Sequence, residues 1–220
     1  MNILVISPHP DDETLGAGGT LLKMKDSGHK IYWLNVTNMK PEYGYSDERV
    51  KERNREILLV NEAYDFSGFY NFEMKPAGME QYETGELVSK FKSVLEEVKP
   101  ELLFLPFGFD VHSDHRVIFD SVYSCIKSFR APYLKTVLCM EIISETDHAF
   151  RMNSFSPNVF VDISDYIEKK IDIMKIYKSE INQPPFPRNE QAIRGLASYR
   201  GATAYHKCSE AFYLIRSCID

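Results

Sequence analysis

Five near-continuous apolar runs constrain this chain more than any other feature: "ILVIS" (3–7), "IYWLNVT" (31–37), "ELLFLPF" (101–107), "TVLCMEII" (136–143) and "NVFVDI" (158–163). A strand with one face in water alternates apolar and polar residues. An unbroken run fits a strand buried on both faces, as in a parallel sheet covered by helices. "DFSGFYNF" (65–72) is a weaker sixth candidate. Segments with helical periodicity lie between the runs at 13–27, 46–63, 84–98 and 115–129, and two more, 164–178 and 188–207, follow the last run. Gly28 closes the first of these, Ser46 caps the second, and Pro100 separates the third from its strand. The alternation predicts an α/β fold, a Rossmann-like, doubly wound, mostly parallel sheet with helices on both faces. With 220 residues, 44% of them hydrophobic, the chain supplies one full core, and a single domain over 1–220 is expected.

The formal charge of −6 argues against a nucleic-acid partner or an anionic membrane surface, either of which wants a basic face. A small-molecule ligand fits better. Cys125, Cys139, Cys208 and Cys218 are scattered without CxxC spacing and read as reduced and buried. "MNILVIS" is apolar but short and runs straight into His and Asp, so it makes neither a signal peptide nor a spanning helix. The expectation is a soluble cytoplasmic protein with no integral membrane segment.

Suppose the first strand lies mid-sheet, the next two step away on one side, and the strand at 101–105 returns on the other. The carboxyl ends of the first strand and of that returning strand then flank the crevice where open α/β sheets bind ligands. One loop there, within "SPHPDDETLGAGGT" (7–20), carries His9, Asp11 and Asp12; the other, "GFDVHSDHR" (108–116), carries Asp110, His112, Asp114 and His115. Adjacent carboxylates repel one another, and a bound cation offsets that cost. A catalytic zinc takes three protein ligands and leaves a position open. His9 and Asp12, three apart on a strand-to-helix turn, fit that set with His115 from the facing loop, and Asp11 is left as a base beside the ion.

"HPDDETLGAGGT" (9–20) followed by "HSDHR" (112–116) resembles the PIG-L/LmbE family of zinc-dependent N-deacetylases, which remove acetyl groups from N-acetylglucosaminyl-type substrates. "RNRE" (53–56), "PNVFVDIS" (157–164) and "SEAF" (209–212) extend the resemblance over most of the chain. It implies one zinc on His9, Asp12 and His115, Asp11 as general base, His112 at the developing oxyanion and Asp114 orienting that histidine. His112 would serve best as an imidazolium, a form that a neighbouring Asp114 favours. The resemblance places Arg53 near the substrate, implies a small amino-sugar substrate and suggests a homo-oligomer. Family members often have proline where this chain has Ser113, a position that carries no metal or catalytic role.

Plainer readings stand beside these. "HPDD" alone fits a helix start with capping aspartates, "HSDH" alone fits a helix capped by Ser113, and Arg53 sits in a charged run whose default is a solvated face. "GAGG" comes too late after the strand for a dinucleotide fingerprint. Its small residues either let the first helix pack close to the sheet or let a sugar approach the backbone. Loop tyrosines Tyr43, Tyr45 and Tyr82 are candidates to stack on a sugar, and the loops at 38–45, 73–83 and 144–156 would set specificity. Two other functions use the same residues: a metal-dependent phosphoesterase, which more often needs two metals, and a non-catalytic sugar-binding module, which has no need of Asp11.

Overall fold

The first strand is buried along nearly its whole length, and its side chains leave alternately to opposite faces. In the computed structural model, which describes residues 1–149 and 153–219, β1 (Asn2–Ser7) pairs in parallel with both β2 (Lys30–Thr37) and β4 (Leu102–Leu105). Ile3 and Val5 enter one core with Trp33 and Phe104, while Leu4 and Ile6 enter the other with Leu34 and Leu103. That alternation is the strand period of two with helices over both faces. β3 (Gly68–Met74), β5 (Thr136–Met140), β6 (Val159–Asp162) and β7 (Ser209–Ser217) complete, among the described residues, seven strands in the order β3-β2-β1-β4-β5-β7-β6. The sheet is doubly wound, and its switch point falls between β1 and β4, as the sequence implied.

Among the described residues six α-helices cover it: α1 (Asp12–Asp26), α2 (Asp47–Tyr64), α3 (Thr84–Val98), α4 (Ser113–Cys125), α5 (Ile167–Met174) and α6 (Glu190–Ala204). Ser46 Oγ accepts the Arg49 N–H and caps α2, while Gly28, just past α1, takes the positive φ of 82° that glycine adopts without strain. α3 and α4 pack on one face through Phe91 and Ile118; α1 and α5 pack on the other through Leu21 and Ile171.

β7 is the element that the apolar-run reading omitted. Ser209–Ser217 mixes Glu, Tyr and Arg among its apolar residues and runs antiparallel between β5 and β6, so the sheet is mixed at this end. Its Glu210 reaches into α1. Glu210 accepts the Gly19 and Thr20 N–H groups (2.9 and 2.7 Å), and Lys170 Nζ on α5 donates to Glu210 (2.7 Å) and to the Leu15 carbonyl (2.8 Å). Both charged side chains are buried, so each depends on the other.

The small residues of α1 serve packing. A Cβ at Gly16 would lie 2.7 Å from Met140 Cβ, and one at Gly19 would lie 2.8 Å from Ile163 Cβ. Residues 16–19 are all buried, which leaves their backbone out of a sugar's reach. Cys125, Cys139 and Cys208 are buried and unpaired as expected, but Cys218 lies exposed beyond the end of β7. Of the 144–156 loop, residues 150–152 lie outside the described residues. No helix of the described residues is long and apolar enough to cross a membrane.

Candidate active site

Asp11 is the residue on which β1 turns into α1. It caps the helix with a φ of 132°, a conformation that an L-residue rarely adopts, and its N–H is held by Glu13 Oε2 at 3.2 Å. Glu13 is buried as well and accepts the Tyr177 hydroxyl at 2.9 Å; burial pushes its carboxyl up to about 7. The turn sends Asp11 and Asp12 in different directions. Asp12 faces the loop after β4; Asp11 faces the segment between α5 and α6.

His9, Asp12 and His115 converge. His115 Nε2 and His9 Nδ1 lie 3.3 and 3.4 Å from the same oxygen, Asp12 Oδ2. The far side of each ring is already committed: His115 Nδ1 donates to Asp110 Oδ2 (2.8 Å), and His9 Nε2 donates to Asp114 Oδ2 (3.0 Å). His115 Nε2 is buried without a hydrogen-bond partner. Two ring lone pairs aimed at one carboxylate oxygen repel it unless protons or a cation lie between them. Without a cation the rings keep protons: burial opposes charge on His9, but Asp114 and Asp12 raise it to about 9, and Asp12 with Asp110 raises His115 to about 10 against the same burial. Burial likewise opposes ionised Asp12, yet His115 and His9 hold it far below the usual carboxylate range. These three residues offer ligand atoms within 4.8 Å of one another, and the donor set of two imidazoles and a carboxylate fits a divalent ion. Asp110 and Asp114 supply the outer hydrogen bonds that such histidines ordinarily have.

A second grouping, His9, His112 and Asp114, is equally close. Asp114 is saturated there: it also accepts the N–H groups of Ala77, Gly78 and Met79 at 2.7, 3.2 and 3.1 Å. This cluster is therefore a hydrogen-bond network that ties the 76–79 loop to α4.

His112 differs from its expected state. Its Nδ1 accepts the Asp114 N–H (3.1 Å) and stands 3.9 Å from the Asp114 carboxylate, whose contacts go to His9 and the loop. Burial, followed by the charge on His9, pushes His112 down to about 4. With Nδ1 accepting, the proton of the neutral ring lies on Nε2. Asp114 thus orients His9 by its carboxylate and His112 by its backbone.

A cavity of about 260 Å³ opens beside the cluster, lined by His9, Asp11, Asp12 and His112 and by residues from distant segments. Burial and the charge of Asp12 raise Asp11 well above the usual range, against Arg188, whose Nη1 donates to Asp11 Oδ2 at 2.9 Å. Arg53 is not on a solvated face. It is buried, donates to the Pro10 carbonyl (3.0 Å) and to Ser179 Oγ (2.7 Å), and pairs with Glu180. Of the loop tyrosines only Tyr45 lines the cavity; the Tyr43 hydroxyl donates to the Glu73 carbonyl and the Tyr82 hydroxyl accepts the Lys75 N–H. Asp110, Glu180 and Arg188 went unassigned in the sequence. Asp110 was legible as the first of the two acids in the second loop, but "NQPPFPRN" carries nothing that points to Arg188.

Diacetylchitobiose deacetylase of Thermococcus kodakarensis is 26% identical over 97% of this chain and 82% of its own. Among solved structures, the conserved protein TT1542 from Thermus thermophilus superposes with a TM-score of 0.77 at 22% identity, over 99% of this chain and 96% of that one. The 4-carboxy-2-hydroxymuconate hydratase from Pseudomonas putida superposes with a TM-score of 0.75 at 15% identity, over 100% and 98%. At such identities the superpositions speak for the fold alone, which hosts more than one chemistry. Residues 4–126, more than half of the chain, match the model of the family described as PIG-L, GlcNAc-PI de-N-acetylase, and the protein belongs to that family.

Proposed function

We propose that the protein is a zinc-dependent hydrolase that removes acetate from an N-acetylated amino sugar, within a small glycoside, a lipid-linked sugar or a sugar nucleotide. The observation that carries this reading is the convergence of His9 Nδ1 and the orphaned His115 Nε2 on Asp12 Oδ2, one residue from a second, differently directed aspartate. His9, Asp12 and His115 would hold one zinc per chain, which when bound supplies Lewis acidity and lowers the pKa of water.

Asp11 accepts the proton of the attacking water and returns it to the departing nitrogen, so that amide and water become acetate and amine. His112 donates its Nε2–H to the oxygen on which charge develops, a contribution of about 3 kcal/mol for a preorganised donor. Arg53 and Tyr45 line the cavity in which the sugar is seated. The likeness to a diacetylchitobiose deacetylase supports an amino-sugar substrate. One domain over 1–220 carries the activity. Buried free cysteines and a net negative charge fit a cytoplasmic protein that binds no nucleic acid, and we take the working unit to be a homo-oligomer.

Acetate release from a panel of N-acetylglucosaminides, run beside metal analysis, tests the reading. One zinc per chain and acetate are expected. Two metals with phosphate released from phosphoesters would favour the phosphoesterase, and sugar binding without any product would leave a binding module.

A further inference from the structure

Arg188 reaches Asp11 from a segment far outside residues 4–126, where the family model matches. The 175–189 stretch between α5 and α6 contributes Glu180 as well as Arg188 to the wall of the cavity. Arg188 Nη1 donates to Asp11 Oδ2 at 2.9 Å and lies 3.4 Å from Glu180 Oε2, while its guanidinium carbon sits 5.8 Å from the Phe186 ring centre. Glu180 is held in turn by Arg53, which also donates to the carbonyl of Pro10, the residue before Asp11. The result is a closed ring of contacts: Asp11 to Arg188, Arg188 to Glu180, Glu180 to Arg53, and Arg53 back to the backbone at residue 10.

Such a ring does what the strained turn alone cannot. Asp11 has an unfavourable backbone conformation and a buried carboxylate, and it is gripped at three points: its N–H by Glu13, the preceding carbonyl by Arg53, and one carboxylate oxygen by Arg188. Asp11 Oδ2 is engaged by Arg188, and Asp11 is itself one of the residues that line the cavity. Arg53 donates to the Pro10 carbonyl and to Ser179 Oγ and pairs with Glu180, so it ties Glu180 to the 8–11 turn.

We propose that Arg188 is a positioning residue for Asp11: it fixes the carboxylate of the base from the C-terminal half of the chain and makes no required contact with substrate. The proposal rests on the reading of Asp11 as the base, and its test is built to tell the two apart. Removing a hydrogen bond to a charged partner costs roughly 10–100-fold when it is felt in the transition state. In the zinc-loaded protein Arg188→Gln should therefore lower kcat by about that factor, with KM and zinc content unchanged. Arg188→Lys should recover part of the loss, and guanidinium at non-denaturing concentration should raise the turnover of Arg188→Ala but not that of the wild type.

A second readout needs no turnover. In metal-free protein Arg188→Gln should lower the melting temperature by several degrees in the wild-type background and by much less in Asp11→Ala, because the contact it removes is already gone. A raised KM with intact kcat would make Arg188 a substrate contact and overturn the proposal. So would additive melting shifts or a guanidinium-insensitive Arg188→Ala. Wild-type protein that releases no acetate from any N-acetyl sugar, but shows the non-additive melting, would sink the deacetylase reading and leave the Arg188–Asp11 coupling standing.

Discussion

The two regions that meet at the cavity are built by different rules. In the parallel half, β1 and β4 sit side by side, and two short loops deliver every proposed metal ligand close to a strand end. In the C-terminal part, β7 inserts antiparallel between β5 and β6, and the groups that matter, Lys170, Glu180, Arg188 and Glu210, come from three separate stretches: α5, the α5–α6 connection and β7. The first region places chemistry by local geometry. The second sets against it ion pairs that span the chain, Lys170–Glu210 buried and Arg188–Asp11 at the cavity wall. A short motif is enough to supply ligands, but the backbone that presents them needs support from elsewhere.

The sharpest way to break this division is to separate the two adjacent aspartates. Asp12→Ala should lose zinc and activity together. Asp11→Ala should keep near-stoichiometric zinc and lose roughly 10²–10⁴-fold in turnover, the usual worth of a positioned base. Metal analysis beside acetate release decides, and a reversed result would invert the roles of the two residues.

Lys170→Met probes the other region. It leaves Glu210 buried without its cation, and breaking such a pair costs about 3–5 kcal/mol. Urea unfolding should show that loss, while the zinc content of the folded fraction stays at the wild-type value. Failure to bind zinc at all would mean that the clamp on α1 also sets the ligand geometry.

Proton competition sharpens the assignment of the ligands. In metal-free protein His9 and His115 keep their protons up to about 9 and about 10. Zinc needs both rings neutral, so binding releases protons and affinity rises with pH throughout the range below those values. Titrations at pH 6.5 and 8.5 should differ by at least about tenfold per pH unit, and a flat profile would remove the histidines from the site. Asp110→Asn is a gentler perturbation of the same ring. It keeps an acceptor beside His115 Nδ1 but removes its charge, and zinc affinity should fall roughly 10–100-fold.

The smallest effect tests the seam between the regions. A methyl at Gly19 would lie 2.8–2.9 Å from three atoms of Ile163, so Gly19→Ala should destabilise by about 1–3 kcal/mol despite alanine's better helix propensity. Thermal unfolding measures it; an unchanged or raised melting temperature would show that α1 shifts freely over the end of β6.

The sequence by itself determined the strand and helix alternation, the switch point between β1 and β4, and the residues that gather there. Each of these follows from short-range rules. Burial on both faces writes a continuous apolar run, a helix writes its 3.6-residue period, and a ligand must lie close to a strand end. β7 escaped because Glu210 and Arg216 interrupt its apolar pattern, and both side chains find distant partners: Glu210 in Lys170 and the α1 backbone, Arg216 in the carbonyls of Ile126 and Leu134. Only the tertiary structure decided that Asp114 serves His9, that His112 Nδ1 accepts the Asp114 N–H, that Arg53 is buried and that Arg188 meets Asp11. These are properties of pairs brought together across the chain. Their partners are chosen by packing, and the strength of each pair depends on how far burial removes it from water, which no local pattern records.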